Sequence, residues 1–351
     1  MRALFIYVSV LIACAPSPAA VDGGLFGDGP QRDAPGDGAV PGSTNVTILV
    51  EPNGNHGSEL ASAIAAAHTS VYMAMYELDS APLISALVAR KHAGVDVQVI
   101  LDGSSTTKSF NTPAYNQLVA AGIAVVWSNP LFTYTHEKCV MIDGTQAWIM
   151  TMNGNTSSPS TNREFLAIDS DPSDVAEAVA VFQADHAMHV IAPVGNLVVA
   201  NANARLRLVQ LIDGATTTLD VEGEEFSDMY STGIVNAVAR AALRGVVVRV
   251  VIANSSPPAA AVTVVKQAGG HVVITGPTSG NGTATNPYIH AKALVVDCVA
   301  GTCAHGFVGS ENFSGGSLGY NREVGVIFSD HTELAKVYAA ISSDFARGAP
   351  Q

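Results

Sequence analysis

From residue 46 onward, apolar positions follow two periods. Short continuous or alternating hydrophobic runs mark strands, and apolar residues three and four apart mark helices. Residues 58–68 are Ala-rich and helical in pattern, and 70–76 read as a strand. Residues 82–93 carry Leu83, Leu87 and Val88 at helical spacing and stop at Gly94; the apolar strand 95–101 follows. The same order returns about 150 residues later: a helix at 204–212, a strand at 217–221, a helix at 232–243 closed by Gly245, and a strand at 246–252. Each half then adds a short helix, a strand (123–127; 271–274), a loop, a hairpin and a closing helix. Alternating order predicts the α/β class: two homologous α/β/α halves, residues 46–192 and 193–351, each a mixed sheet with helices on both faces.

One polar set recurs in both halves. His136-x-Lys138 is followed five residues on by Asp143, and His290-x-Lys292 by Asp297 at the same distance. Met150-Thr151-Met152-Asn153 then aligns with Gly309-Ser310-Glu311-Asn312, and Asn162-Arg163-Glu164 with Asn321-Arg322-Glu323. His136 and Glu164 are 28 residues apart, His290 and Glu323 33; the excess lies in residues 298–303, a longer hairpin tip. Strand alternation puts each His and Lys on one face at the entrance of a buried strand. A lone imidazole is usually a core or surface residue without chemistry, but a repeated context argues for a role. A Lys on the same face would repel a metal ion, and His186 and His189, three apart on a helix, are more simply solvated.

These motifs resemble the signature of the phospholipase D superfamily, HxK(x4)D followed by G-S/T-x-N and N-x-E, and the resemblance covers nearly all of the chain after residue 45. Met150 stands where that family usually has Gly, which bears on how closely a phosphate approaches the backbone. The resemblance implies a pseudo-twofold molecule with one active site at the interface of its halves.

Breaking a phosphodiester needs charge neutralisation, a nucleophile and an acid for the leaving oxygen. Lys138 and Lys292 suit the first task, with Asn153, Asn312, Thr151 and Ser310 as further donors to the substrate. One neutral imidazole can attack phosphorus while a protonated one supplies the departing alcohol. By resemblance, His136 attacks and His290 protonates. Glu164 and Glu323 are expected to accept from the other ring nitrogens of the two histidines. Asp143 and Asp297 lie an odd number of positions from their His, so alternation turns them away and gives them a structural role. This chemistry calls for no metal or other cofactor.

The chain front changes the setting. Met1-Arg2 and an apolar run too short to span a bilayer read as an export signal. Leu11-Ile12-Ala13-Cys14 resembles the bacterial lipoprotein box, in which Cys14 becomes the lipidated terminus; the alternative is an ordinary signal peptide cut near Ala19-Ala20. The Gly-, Pro- and Asp-rich residues 15–45 read as a flexible tether. An exported, membrane-anchored monomer is the expectation. In an oxidising compartment Cys298 and Cys303 are positioned to pair, and Cys139 reads as a buried thiol.

Formal net charge is −13, with −2 in the first 45 residues and so about −11 on the body. Such a surface repels polyanions and disfavours nucleic acid. The leading expectation is therefore a phosphodiesterase acting on phospholipids through a phosphohistidine. A metal-independent nuclease ranks next. A cardiolipin-synthase-like transferase ranks third, for want of a membrane-spanning stretch, and a catalytically inactive binding module last, since neither copy has lost its His or Lys.

Overall fold

The computed structural model describes residues 42–351 apart from Asn53, Asn55, Ser256, Ser279 and Asn281. The expected signal and lipobox at 1–14, with Cys14, lie outside the described residues, as does the tether up to residue 41. Residues 42–45, expected to be tether, already belong to the body. Ser43 is buried, its Oγ donates to Asp169 at 3.0 Å, and its backbone pairs with Ile327 and Ser329.

The first half runs β1 (Val46–Glu51), α1 (His56–Ala66), β2 (Ser70–Met75), α2 (Ala81–His92), β3 (Asp96–Leu101), α3 (Lys108–Ala120), β4 (Ala124–Trp127), β5 (Lys138–Ile142), β6 (Gln146–Met150), α4 (Ser158–Thr161), β7 (Asn162–Asp169) and α5 (Pro172–His186). The second runs β8 (Val198–Val199), α6 (Ala204–Asp213), β9 (Thr218–Gly223), α7 (Ile234–Leu243), β10 (Val247–Ala253), α8 (Ala259–Gln267), β11 (His271–Thr275), β12 (Tyr288–Ile289), β13 (Lys292–Val296), β14 (His305–Gly309), α9 (Gly315–Tyr320), β15 (Val324–Phe328), α10 (His331–Arg347) and β16 (Ala349–Pro350).

The sheet orders, β1-β7-β6-β5-β2-β3-β4 and β8-β15-β14-β13-β9-β10-β11-β16, match over their first seven strands; β16 extends the second sheet beyond β11, and β12 joins the first beside β7. Both sheets are mixed: β2, β3 and β4 are parallel, as are β9, β10 and β11, while the hairpin strands run antiparallel to them. Gly94 and Gly245 end α2 and α7 at φ +87° and +92°, which an L side chain rarely adopts. The strands β8, β12 and β16 have two residues each, too few to leave a periodic trace in the sequence.

Three apolar layers follow. Leu60, Leu87 and Leu118 from α1, α2 and α3 pack on the outer face of the first sheet. Leu208, Val238 and Val265 from α6, α7 and α8 do the same on the second. Between the sheets lies a shared core holding Phe165, Val326, Phe182 of α5 and Ile341 of α10. The closing helices are thus buried between the halves, where each Val, Leu or Ile contributes about 1.5–3 kcal/mol. Both are capped alike: Asp171 accepts from the backbone of Ser173 and Asp174, and Asp330 from Thr332 and Glu333.

Candidate active site

His136 and His290 stand just before β5 and β13, and Asp143 and Asp297 just after them, at opposite ends of the strands. Asp143, at φ 54°, accepts from the backbone N–H groups of His68, Thr69 and Ser70; Asp297, at φ 55°, accepts from Thr216, Thr217 and Thr218. Burial pushes the Asp143 carboxyl up, but these donors outweigh it and hold it at about 2. Each carboxylate pins its hairpin to the start of the neighbouring parallel strand.

The two motifs exchange partners across the interface. His136 Nδ1 lies 2.7 Å from Glu323 Oε2, and His290 Nδ1 lies 2.8 Å from Glu164 Oε1. The arginines of the same Asn-Arg-Glu motifs cross too: Arg163 pairs with Asp344 of α10 at 2.6 Å, and Arg322 with Asp185 of α5 at 2.8 Å. Backbone pairing reinforces the exchange, because β12 lies parallel to the start of β7 and Thr135 bridges to Arg322. Each histidine thus takes its orienting carboxylate from the other half.

Both carboxylates are fully buried and further held. Glu164 accepts from Thr151 Oγ1 at 2.5 Å and Asn162 Nδ2 at 3.0 Å; Glu323 accepts from Ser317 Oγ at 2.5 Å and Asn321 Nδ2 at 2.9 Å. Burial raises both, but the facing imidazoles and these donors bring them below the ordinary glutamate range. Thr151 and Ser310 are not the substrate donors expected from the motif. Both are fully buried; Thr151 is spent on Glu164, and Ser310 Oγ accepts from Val324 N and donates back to Val324 O. Asn153 and Asn312 are nearly buried, each with an Oδ1 that has no partner among the described residues.

The lysines also differ in their surroundings. Each Nζ donates to the carbonyl of its own motif histidine, Lys138 to His136 O at 2.6 Å and Lys292 to His290 O at 2.5 Å. Lys138 then lies 4.9 Å from the centroid of Tyr76, whose ring also meets His136 edge-on at 4.6 Å. Lys292 instead pairs with Glu224 at 2.8 Å, and the same carboxylate oxygen is 3.5 Å from His290 Nε2. Tyr76 and Glu224 are structural equivalents, each one residue past the strand that pairs with its lysine. Burial and the Lys292 charge pull Lys138 down to about 7, and burial with Lys138 pulls His136 below its usual value against the opposing Glu323. Both effects favour the neutral form of His136, which sits beside the Tyr76 ring.

Sequence reading missed Tyr76 and Glu224, which lie outside the motif, although the register of β2 and β9 against the HxK strands places them. Met150 is fully buried in the outer apolar layer, away from the neighbouring Thr151 that holds Glu164, so its bulk does not stand over the site. The loop 128–135, before the first motif, packs across the interface on the second half: Phe132 lies under Arg322 at 4.5 Å and Thr133 N donates to Tyr320 O, leaving Leu131 as its exposed apolar side chain. Cys298 and Cys303 are joined in a disulfide at the longer hairpin tip, and Cys139 is a buried free thiol pushed well above its usual value by burial.

The family described as cardiolipin synthase, PLD-like domain, matches residues 60–186 and 208–347, most of both halves. The chain belongs to this family and so to the phospholipase D superfamily. No curated protein matches the sequence. Among solved structures, this superfamily member is similar to polyphosphate kinase from Porphyromonas gingivalis, at TM-score 0.65 and 16% identity over 85% of the chain. It spans 46% of that kinase's length. It is also similar to phosphatidylserine synthase from Haemophilus influenzae Rd KW20, at TM-score 0.64 and 11% identity, covering 88% of this chain and 87% of that one. At these identities the likeness is one of fold. Among the described residues, no helix is long and apolar enough to cross a membrane.

Proposed function

We propose that the protein is a phosphodiesterase of phospholipase D type that cleaves phospholipids through a phosphohistidine, passing the phosphatidyl group to water or to an alcohol. The observation that carries this reading is the crossed pair of histidine–glutamate contacts, with a buried lysine beside each imidazole. In this mechanism neutral His136 Nε2 attacks phosphorus, while Glu323 at Nδ1 fixes its tautomer and stabilises the charge that develops. Lys138 and Lys292 offset the charge of the phosphoryl oxygens. His290, steadied by Glu164, donates its Nε2 proton to the departing alcohol, then takes a proton from the water or alcohol that attacks the phosphohistidine.

Transfer to an alcohol now stands level with hydrolysis, because the matching family is described as cardiolipin synthase. The two outcomes differ only in the acceptor. The acidic surface keeps a nuclease behind both. A decisive experiment incubates the full chain with mixed phospholipids, with and without glycerol, and in parallel with plasmid DNA, each with and without EDTA. Phosphatidic acid or a new phosphatidyl ester formed in EDTA, with intact plasmid, is the expected result. Nicked plasmid with untouched lipid would replace the reading by the nuclease. Anchoring through Cys14 is a separate proposal: Cys14→Ser should lose fatty-acid labelling and leave the membrane fraction.

A further inference from the structure

Glu224 enters the site on the face that the proposed chemistry uses. Glu164 and Glu323 sit behind the imidazoles at Nδ1, tied down by hydroxyl and amide donors. Glu224 instead reaches the working nitrogen, with Oε2 at 3.5 Å from His290 Nε2 and 2.8 Å from Lys292 Nζ. Tyr288 holds the other oxygen by donating its hydroxyl at 2.8 Å. A phosphoryl oxygen contacting Lys292 must lie beside this carboxylate. In the first half the equivalent position is Tyr76, which gives Lys138 a ring where Lys292 has a carboxylate.

We propose that Glu224 is a specificity-determining residue: by cancelling the charge of Lys292, it takes a positive charge away from the floor of the site and thereby selects phosphodiesters over phosphomonoesters and inorganic phosphate. A diester carries one negative charge at every physiological pH, whereas a monoester carries nearly two above a second pKa of about 6. An uncancelled Lys292 would favour the dianion over the diester; paired with Glu224, it loses that preference. Repulsion between Glu224 and the second charge acts in a half-buried setting beside the fully buried Lys292, where screening is weaker than in bulk water. The carboxylate is ionised as this role requires. Burial raises it, but the Lys292 ammonium, His290 and the donors from Lys292 and Tyr288 outweigh burial and hold it well below the ordinary glutamate range. A positioning role alone, keeping Lys292 extended, would not depend on ligand charge, so charge dependence separates the two.

This inference rests on the phosphodiesterase reading, and its test needs no turnover. Inorganic phosphate and diethyl phosphate are titrated calorimetrically into the full chain at pH 7.5 and low salt. The wild type should bind phosphate no more tightly than the diester; phosphate binding about tenfold tighter than the diester would overturn the inference without any variant. Glu224→Gln, which keeps an acceptor for Lys292, should bind phosphate at least about tenfold more tightly than wild type, with diethyl phosphate gaining about threefold or less. Glu224→Asp should restore the wild-type ratio. Equal gains for both ligands, or no gain for phosphate, would sink the proposal. If no phosphodiester is turned over in any assay the functional reading falls; if diesters are turned over and Glu224→Gln leaves the ratio unmoved, this inference alone falls.

Discussion

The two halves share one strand order and exchange the same four partners, yet differ at single positions that change what each contributes. Beside the first HxK strand stands Tyr76; beside the second stands Glu224. In the first half Met150 faces Leu166 across the hairpin, and at the matching register of the second Gly309 faces Gly325. A Cβ on Gly325 would meet the Phe307 ring at 2.3 Å and the Glu311 carboxylate at 2.8 Å. The glycines thus make room for Phe307 and for a buried acid, whereas the first half fills the same volume with Met150 and Leu166. The scaffold of a duplicated site stays symmetric, while the residues next to the imidazoles divide the labour between them.

The sharpest way to break this comparison is to remove each histidine in turn. With a p-nitrophenyl diester, whose leaving group needs no proton, His136→Ala should lose activity on the order of 10⁴-fold or more and form no adduct. His290→Ala should still form a phosphoryl adduct on His136. An adduct trapped on His290 in the wild type would reverse the roles of the halves. A smaller effect tests the crossing. Glu323→Gln, in the second half, should slow adduct formation on His136 by about 10²-fold. Glu164→Gln should leave adduct formation with the p-nitrophenyl substrate nearly intact and slow only substrates with poor leaving groups. Rapid-quench measurement of the adduct reads both, and the opposite pattern would mean each glutamate serves its own half.

Much of this was legible in the sequence because it is carried by repetition. Two copies of His-x-Lys, Asp and Asn-x-Glu marked the candidate residues that the fold brings together, and helix–strand alternation located the mixed sheets. What stayed hidden depends on registers between strands distant in sequence. Nothing local to Glu224 says that it meets Lys292, since that contact exists only because Gly223 pairs with Lys292 across β9 and β13. The crossing of Glu164 and Glu323 is a property of how the halves face each other. Thr151 and Ser310 were assigned to the substrate because hydroxyls suit phosphate, and burial decided otherwise.

Two smaller effects probe the packing differences. Gly325→Ala should cost about 1–3 kcal/mol in chemical denaturation by crowding Phe307 and Glu311, while Gly316→Ala, with nothing near its Cβ, should shift stability by about 0.5 kcal/mol or less. Equal losses would mean that Gly325 is not kept for space. The last effect is one of pH. Burial and Asp185 raise Glu137, which has Ala291 as its counterpart, from 4.5 to about 8 against the pull of Arg322. Between these values the folded state holds a proton the unfolded state lacks. Stability from this group is therefore full below pH 4.5 and lost as pH rises through 8, at up to about 1.4 kcal/mol per pH unit. Glu137→Gln should gain on the wild type as pH rises from 5 to 8; a constant gap would show that Glu137 is already ionised.

If the proposed chemistry holds, the exchange of partners between halves also sets when the protein becomes reactive. A chain still being made, with only its first half folded, holds His136 without Glu323, Lys138 without Lys292, and Arg163 without Asp344. Such a fragment lacks the carboxylate that fixes its nucleophile, and a severed half would be in the same position. On the proposed reading, phosphoryl chemistry would be conditional on the second half, whose Glu323 reaches His136 and whose α10 supplies Asp344 to Arg163.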